Sequence, residues 1–255
     1  MKKLLSRLIF VILIILIWET FYLFKLFPEI LFPSMRTIFV SLYKGIIYGD
    51  YFSKTIITLS VIIKGLLLGI NIALVLVILS LIHKVFNEFV DNLITFMNPI
   101  PGIAIFPLVI LWFGLGETAM IVIIIHSVIW SFLLNILAGI RAVPKIYKEI
   151  GVNLQLNKFR MFTDMYLPAS MPYIIAGLKA VWAKGWRTAI AVELIAGVMI
   201  GKSGLGWLMN YQRSMLDIPG LFSVIILIMV IGIFVEDVVF KLLENFTVKK
   251  WGMSK

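Results

Sequence analysis

Residues 149–172, EIGVNLQLNKFRMFTDMYLPASMP, are a polar, basic stretch in a chain that is otherwise almost continuously apolar. The runs on both sides are rich in Ile, Leu, Val and Ala, so the stretch interrupts a series of hydrophobic segments and does not belong to a soluble domain. It is too short to fold by itself. Its short helical patterns, with Phe159, Phe162 and Met165–Tyr166 at near-helical spacing, predict one apolar face on a small helical element. A polar insertion of this kind between apolar segments reads as a docking surface for another protein, with Lys158, Arg160 and Asp164 solvated or turned to the partner. Part of the aromatic stripe is expected to pack on the chain's own helices.

Composition places the rest of the chain in a bilayer. Of 255 residues, 62% are hydrophobic and 14% charged, whereas a soluble domain carries about 25% charged residues. The fold class is therefore all-α integral membrane protein. The absence of cysteine and the presence of only two histidines, His83 and His126, exclude disulfides and thiolate sites and leave no basis for a metal centre. The net charge of +10 fits basic cytoplasmic loops and anionic lipid headgroups; no nucleic-acid partner is expected.

A crossing needs about 20 mostly apolar residues. Six segments qualify, at about 8–27, 56–82, 93–113, 118–140, 173–200 and 220–242, joined by a connector at about 28–55, turns near 83–92 and 114–117, and a Gly-rich connector at 201–219. The start, MKKLLSRLIFVILIILIW, has the basic and apolar parts of a signal peptide, but Trp18, Glu19, Thr20 and Phe21 follow in place of small residues, so an uncleaved first span is expected. The chain divides into an N-terminal transmembrane helix at 1–30 and a transmembrane domain at 31–255 that holds the polar loop at about 141–172. With the N-terminus inside, thirteen Lys and Arg fall in inner segments and six in outer ones. The positive-inside rule then makes both termini and the polar loop cytoplasmic.

Two features inside the spans point to a path. Pro99, Pro101 and Pro107 interrupt the third span and free backbone carbonyls. Such breaks are tolerated at membrane depth against protein or a water-filled cavity, which gives either a path-lining helix or an ordinary kinked span. The fifth span carries Lys179, Lys184, Arg187 and Glu193. Lys184 and Arg187 share a helix face and would attract an anion. Glu193 lies on another face and needs a partner from a different span, for which Lys64 is the candidate. Structural pairing or snorkelling to the interface is the competing account of these charges.

Other patterns carry less. Ala196–Ser203 fits a relaxed phosphate-loop pattern, but it ends a membrane span where the real motif follows a buried strand. Gly201, Gly204 and Gly206 read instead as a turn. Gly65 and Gly69 form a GxxxG spacing that permits close helix approach without naming the partner helix. No nucleophile, base and acid cluster, so no enzymatic activity is expected.

Together these residues resemble the permease subunits of type I ABC importers, in the nitrate, sulfonate and taurine group, over about Leu31 to Trp251. Leu31-Phe32-Pro33-Ser34 stands where the family has its Leu-Pro-Ser-Pro stretch. The run from Pro99 to Glu117, and the residues around Glu193 and Ser203-Gly204-Leu205-Gly206, are also similar. The family's cytoplasmic loop begins Glu-Ala-Ala and ends in Leu-Pro. Here Glu149 and Leu167-Pro168 match, Ile150 and Gly151 replace the alanines, Met165 takes the place of Ile, and Gln155 stands where Gly is expected. Asn153 and Asn157 tolerate left-handed backbone and are the expected substitutes for that turn.

The resemblance implies that Glu149, Gly151, Gln155, Phe159, Phe162, Leu167 and Pro168 belong to a coupling loop that docks on an ABC ATPase. It implies two ATPase subunits, an extracellular solute-binding protein, a permease homodimer and alternating access. No cofactor is bound by the chain itself, and ATP is used by the partner. The candidate translocation path comprises Pro99, Pro101, Pro107, Lys184, Arg187 and Glu193, for a small anion such as a sulfonate, taurine or nitrate. The alternatives are an ion-coupled secondary transporter, which would show an internal repeat and mid-membrane coordination sites, and an assembly protein without transport.

Overall fold

Apolar runs that cannot expose backbone polar groups to lipid must close their hydrogen bonds internally, and the chain does so as helices throughout. A computed structural model describes residues 2–196 and 204–247, with no strand among them. Residues 197–203, which include Gly201 of the glycine turn and most of the phosphate-loop look-alike, lie outside the described residues, as does Trp251.

The helices are α1 (Lys2–Leu23), α2 (Met35–Ile47), α3 (Tyr51–Ile82), α4 (Lys84–Met97), α5 (Phe106–Phe113), α6 (Glu117–Arg141), α7 (Lys145–Asn153), α8 (Lys158–Arg160), α9 (Leu167–Ala196), α10 (Leu205–Ser214), α11 (Ile218–Phe234) and α12 (Phe240–Phe246). A 3₁₀ turn, Gly102–Ile105, leads into α5. Wide π-helical turns at Met161–Tyr166 and Val235–Val239 join α8 to α9 and α11 to α12.

Among the described residues four helices are long and apolar enough to cross a bilayer alone: Leu5–Leu23, Tyr51–Ile82, Glu117–Arg141 and Ile218–Phe246. The pair Lys84–Met97 and Gly102–Phe113 is apolar enough when taken together, but it is bent by 87°, the geometry of a broken span or of a re-entrant loop. At 1.5 Å per residue the 30 residues of α9 extend about 45 Å, more than the hydrocarbon thickness; its four charges set it apart from the apolar spans.

The region of the third span differs from expectation. The turn predicted near 83–92 is helical, because α4 begins at Lys84. Val85, Phe86, Phe89, Val90, Leu93 and Ile94 recur at helical spacing while Lys84, Glu88 and Asp91 fall between them, an amphipathic pattern that a search for apolar runs passes over. The predicted span 93–113 is accordingly two helices set nearly at right angles.

The centre of the molecule is α6. Within its apolar window 61% of residues are buried, against none in α1, so α6 is the hub and α1 a peripheral element. Small residues let the neighbours approach it. A Cβ on Gly65 would stand 2.5 Å from Ile124, and one on Gly69 3.2 Å from Val128, which identifies α6 as the partner of the GxxxG face. On the other side Gly139 faces Tyr173, and Gly177 faces Asn135 and Phe132, bringing α9 close. The outlying α1 is held at both ends: Arg7 pairs with Asp237, the Trp18 indole donates to the Pro33 carbonyl at 2.9 Å, and Glu19 accepts from the Met35 amide at 3.0 Å at the start of α2.

Candidate translocation cavity and coupling segment

The break between α4 and α5 positions the cavity. Asn98 ends α4, Pro99 and Pro101 offer no amide hydrogen, and the chain runs extended at Pro101 before the 3₁₀ turn. Gly102 lies so close to Ser127 of α6 that a Cβ there would overlap the hydroxyl. Around this break is a cavity of about 400 Å³, lined by Asn98–Ile103, by His126, Ser127 and Trp130 of α6, and by Lys184, Arg187, Thr188 and Ala191 of α9. Its two cations have no Asp or Glu beside them in the lining.

Lys184 Nζ donates to Asn98 Oδ1 at 3.1 Å, and Ser131 donates to the same oxygen at 3.2 Å. Arg187 Nε donates to the Ala183 carbonyl at 2.9 Å. Thr188 and Ser127 share a hydroxyl hydrogen bond of 3.1 Å. Two buried atoms at this wall lack a hydrogen-bond partner, His126 Nδ1 and Trp130 Nε1; the two rings meet edge to face at 6.0 Å.

The structure thus brings Pro99, Pro101, Lys184 and Arg187 together and leaves out two residues predicted with them. Pro107 is exposed in the first turn of α5, where the missing amide would have had no helical partner. Glu193, 1% exposed, faces away from the cavity. It accepts from Thr58 Oγ1 at 2.8 and 2.9 Å and from the Gly206 amide at 2.9 Å, and Thr58 Oγ1 accepts from the Leu205 amide at 2.9 Å. These bonds staple α3, α9 and the start of α10. Lys64 is not its partner, because Lys64 donates to Glu117 at 2.6 Å. Lys179 pairs with Glu244, so the four charges of α9 divide between an ion pair, the cavity and a buried staple. Sequence reasoning passed over His126, Trp130 and Thr188; the signal was the polar spacing His126–Trp130 and Ser127–Ser131 along one side of α6.

At the other end of α4, Arg141 donates to Asp91 at 2.7 and 2.9 Å and to Asn87 Oδ1 at 2.9 Å. Ser80 donates to the same Asn87 oxygen at 2.7 Å. Arg141 is the last residue of α6, and α7 starts four residues later. The polar stretch then folds as α7, a tight turn, and a helix running from α8 through the π-helical turn into α9. Its second half is therefore an extension of the fifth predicted span.

The turn ends α7 in a Schellman arrangement. The Leu156 amide donates to the Gly151 carbonyl at 3.0 Å and the Gln155 amide to that of Val152 at 2.9 Å. Gln155, φ 52, takes the left-handed position itself. Asn153 and Asn157, the expected substitutes, do not: Asn153 closes α7, and Asn157 Oδ1 caps the next helix by accepting from the Arg160 amide at 2.8 Å. A Cβ on Gly151 would meet the Met161 thioether at 2.3 Å, so a small residue here seats α7 against the following helix. Glu149, Phe159 and Phe162 are exposed, whereas Met165, Tyr166, Leu167 and Pro168 are half-buried. The aromatic stripe is thus split between solvent and the protein's own packing.

Similarity to known proteins agrees with this architecture. The chain is 29% identical to an ABC transporter permease of Methanocaldococcus jannaschii over 92% of its length and 88% of the relative's. It is 27% identical to an aliphatic sulfonates transport permease of Bacillus subtilis, with coverages of 94% and 85%. It is 27% identical to a bicarbonate transport system permease of Synechococcus elongatus, with coverages of 75% and 70%. The sequence profile of the binding-protein-dependent transport system inner membrane components matches residues 65–249. From α3 to the C-terminal tail, then, helices, break and polar stretch are those of one family, and the chain belongs to it: it is a multi-pass permease subunit of an ABC importer, working with an ATPase and a solute-binding protein.

Proposed function

We propose that this permease carries a small anion, such as a sulfonate, taurine or nitrate, through the cavity at the α4–α5 break. The observation that carries the reading is the pair Lys184 and Arg187 on the cavity wall with no carboxylate beside them, since an intramembrane cation without a counter-ion is costly unless the path supplies one. The relatives named for sulfonates and bicarbonate, both anions, support it.

The membrane unit is a homodimer served by two ATPase subunits, with both termini and the polar stretch cytoplasmic. Glu149, Gly151, Gln155, Phe159, Phe162, Leu167 and Pro168 form the coupling segment. The exposure of Glu149, Phe159 and Phe162 and the ordered turn at Gln155 support that role. ATP is bound and hydrolysed by the partner, so the chain needs no cofactor and is not an enzyme.

Co-purification with ATPase subunits and anion uptake in proteoliposomes test this together. Glu149→Lys should weaken the complex, and Arg187→Ala should lower uptake while the ATPase still co-purifies. Uptake that proceeds without ATP would overturn the scheme, and unchanged uptake in Arg187→Ala would remove Arg187 from the path.

A further inference from the structure

We infer that the cavity is a resident binding site in the permease for a small organic anion, an acidic head group bearing a short apolar tail, in preference to a bare inorganic ion. The inference rests on the proposed anion path and adds what its walls select. The head-group side is supplied by α9. Lys184 and Arg187 are three residues apart on one face, and the bond of Lys184 to Asn98 Oδ1 is to a neutral amide, which leaves its charge uncompensated.

The rest of the lining has a different chemistry. Ile100, Ile103 and the rings of Pro99 and Pro101 come from the chain break, and Trp130 comes from α6. A hydrated inorganic ion gains nothing from such surface, whereas an alkyl chain removes it from water. The volume points the same way. About 400 Å³ is room for about a dozen waters at about 30 Å³ each, far more than an ion of four or five atoms fills. It lies within the range of sites for small organic molecules. Trp130 adds an apolar ring body to the same wall.

The test is calorimetric titration of the full chain in zwitterionic nanodiscs with methanesulfonate, propanesulfonate and pentanesulfonate, and with nitrate and bicarbonate. Affinity should rise about fourfold per added methylene, with the two inorganic ions weakest. Lys184→Gln should weaken every sulfonate by a similar factor and keep the slope. Ile100→Ser, at an exposed position, should flatten the slope by weakening pentanesulfonate more than methanesulfonate. A flat chain-length series, or nitrate binding as tightly as propanesulfonate, would overturn the inference. Absence of binding by all five ions while ATP-driven uptake persists would also overturn it and leave the importer reading intact. Loss of both ATP-driven uptake and ATPase co-purification in the wild-type protein would instead remove the reading on which it rests.

Discussion

Replacing Thr58 by Val removes one hydroxyl and keeps the side-chain shape. Thr58 is fully buried, and its Oγ1 has two duties: it donates to the Glu193 carboxylate and accepts from the Leu205 amide. Loss of a donor to a charged group costs about 1.5–3 kcal/mol, and a buried amide left without an acceptor costs about 1–3 kcal/mol. The Gly206 amide still serves Glu193, so a total of about 3 kcal/mol is expected. In a chain of this size that lowers the melting temperature by about 6–12 °C. The comparison that isolates the hydroxyl is Thr58→Ser, which loses only a methyl group, worth about 1 kcal/mol. Thermal unfolding of the purified protein, followed by intrinsic tryptophan fluorescence, reads both. If Val and Ser variants melt within about 2 °C of each other, the hydroxyl is not what holds α3, α9 and α10 together.

Gln155→Gly should strengthen the turn by about 0.5–1 kcal/mol, because the left-handed backbone costs a side chain about 1–2 kcal/mol and the greater freedom of unfolded glycine offsets part of that; slower hydrogen exchange of the Leu156 amide would register it, and faster exchange would refute it. Gly65→Ala forces a Cβ to 2.5 Å from Ile124 and should cost about 1–3 kcal/mol, and a second substitution, Ile124→Ala, should recover part of the stability in a melting assay. The Arg141–Asp91 pair is half exposed, so Arg141→Gln should change stability by less than about 1 kcal/mol. It should nevertheless lower the ratio of anion transported to ATP hydrolysed in proteoliposomes; an unchanged ratio would mean that the clamp has no part in coupling.

Which side chains meet was only partly legible. Pro99 and Pro101 announced a break because their chemistry is local: each removes an amide wherever it stands. Lys184 and Arg187 were legible for a similar reason, since three residues on one helix share a face in any context. The partner of Glu193 was not, because a contact between helices depends on how each is rotated about its axis. Six residues separate Thr58 from Lys64 on α3, and that is enough to carry them to different neighbours, Glu193 for one and Glu117 for the other. Gln155 was illegible for an energetic reason: the two hydrogen bonds of the turn outweigh the preference of the residue, so the asparagines that tolerate the conformation better are used elsewhere. His126 and Trp130 were hidden by composition, as an isolated imidazole and indole in an apolar helix look like packing until the cavity is seen.

One mechanical property of α4 follows from its two attachments. Near its start Asn87 and Asp91 are gripped by Arg141, four residues before α7, and at its end Asn98 holds Lys184 and Ser131. Between Asp91 and Asn98 lie two turns, about 10 Å of helix, with no glycine or proline to bend them. A rod so short and so stiff transmits displacement without absorbing it. A displacement imposed at Asp91 is therefore carried along the helix to Asn98, the amide that tethers the lysine of the cavity, and the first joint free to yield is the Pro99–Pro101 elbow beyond it.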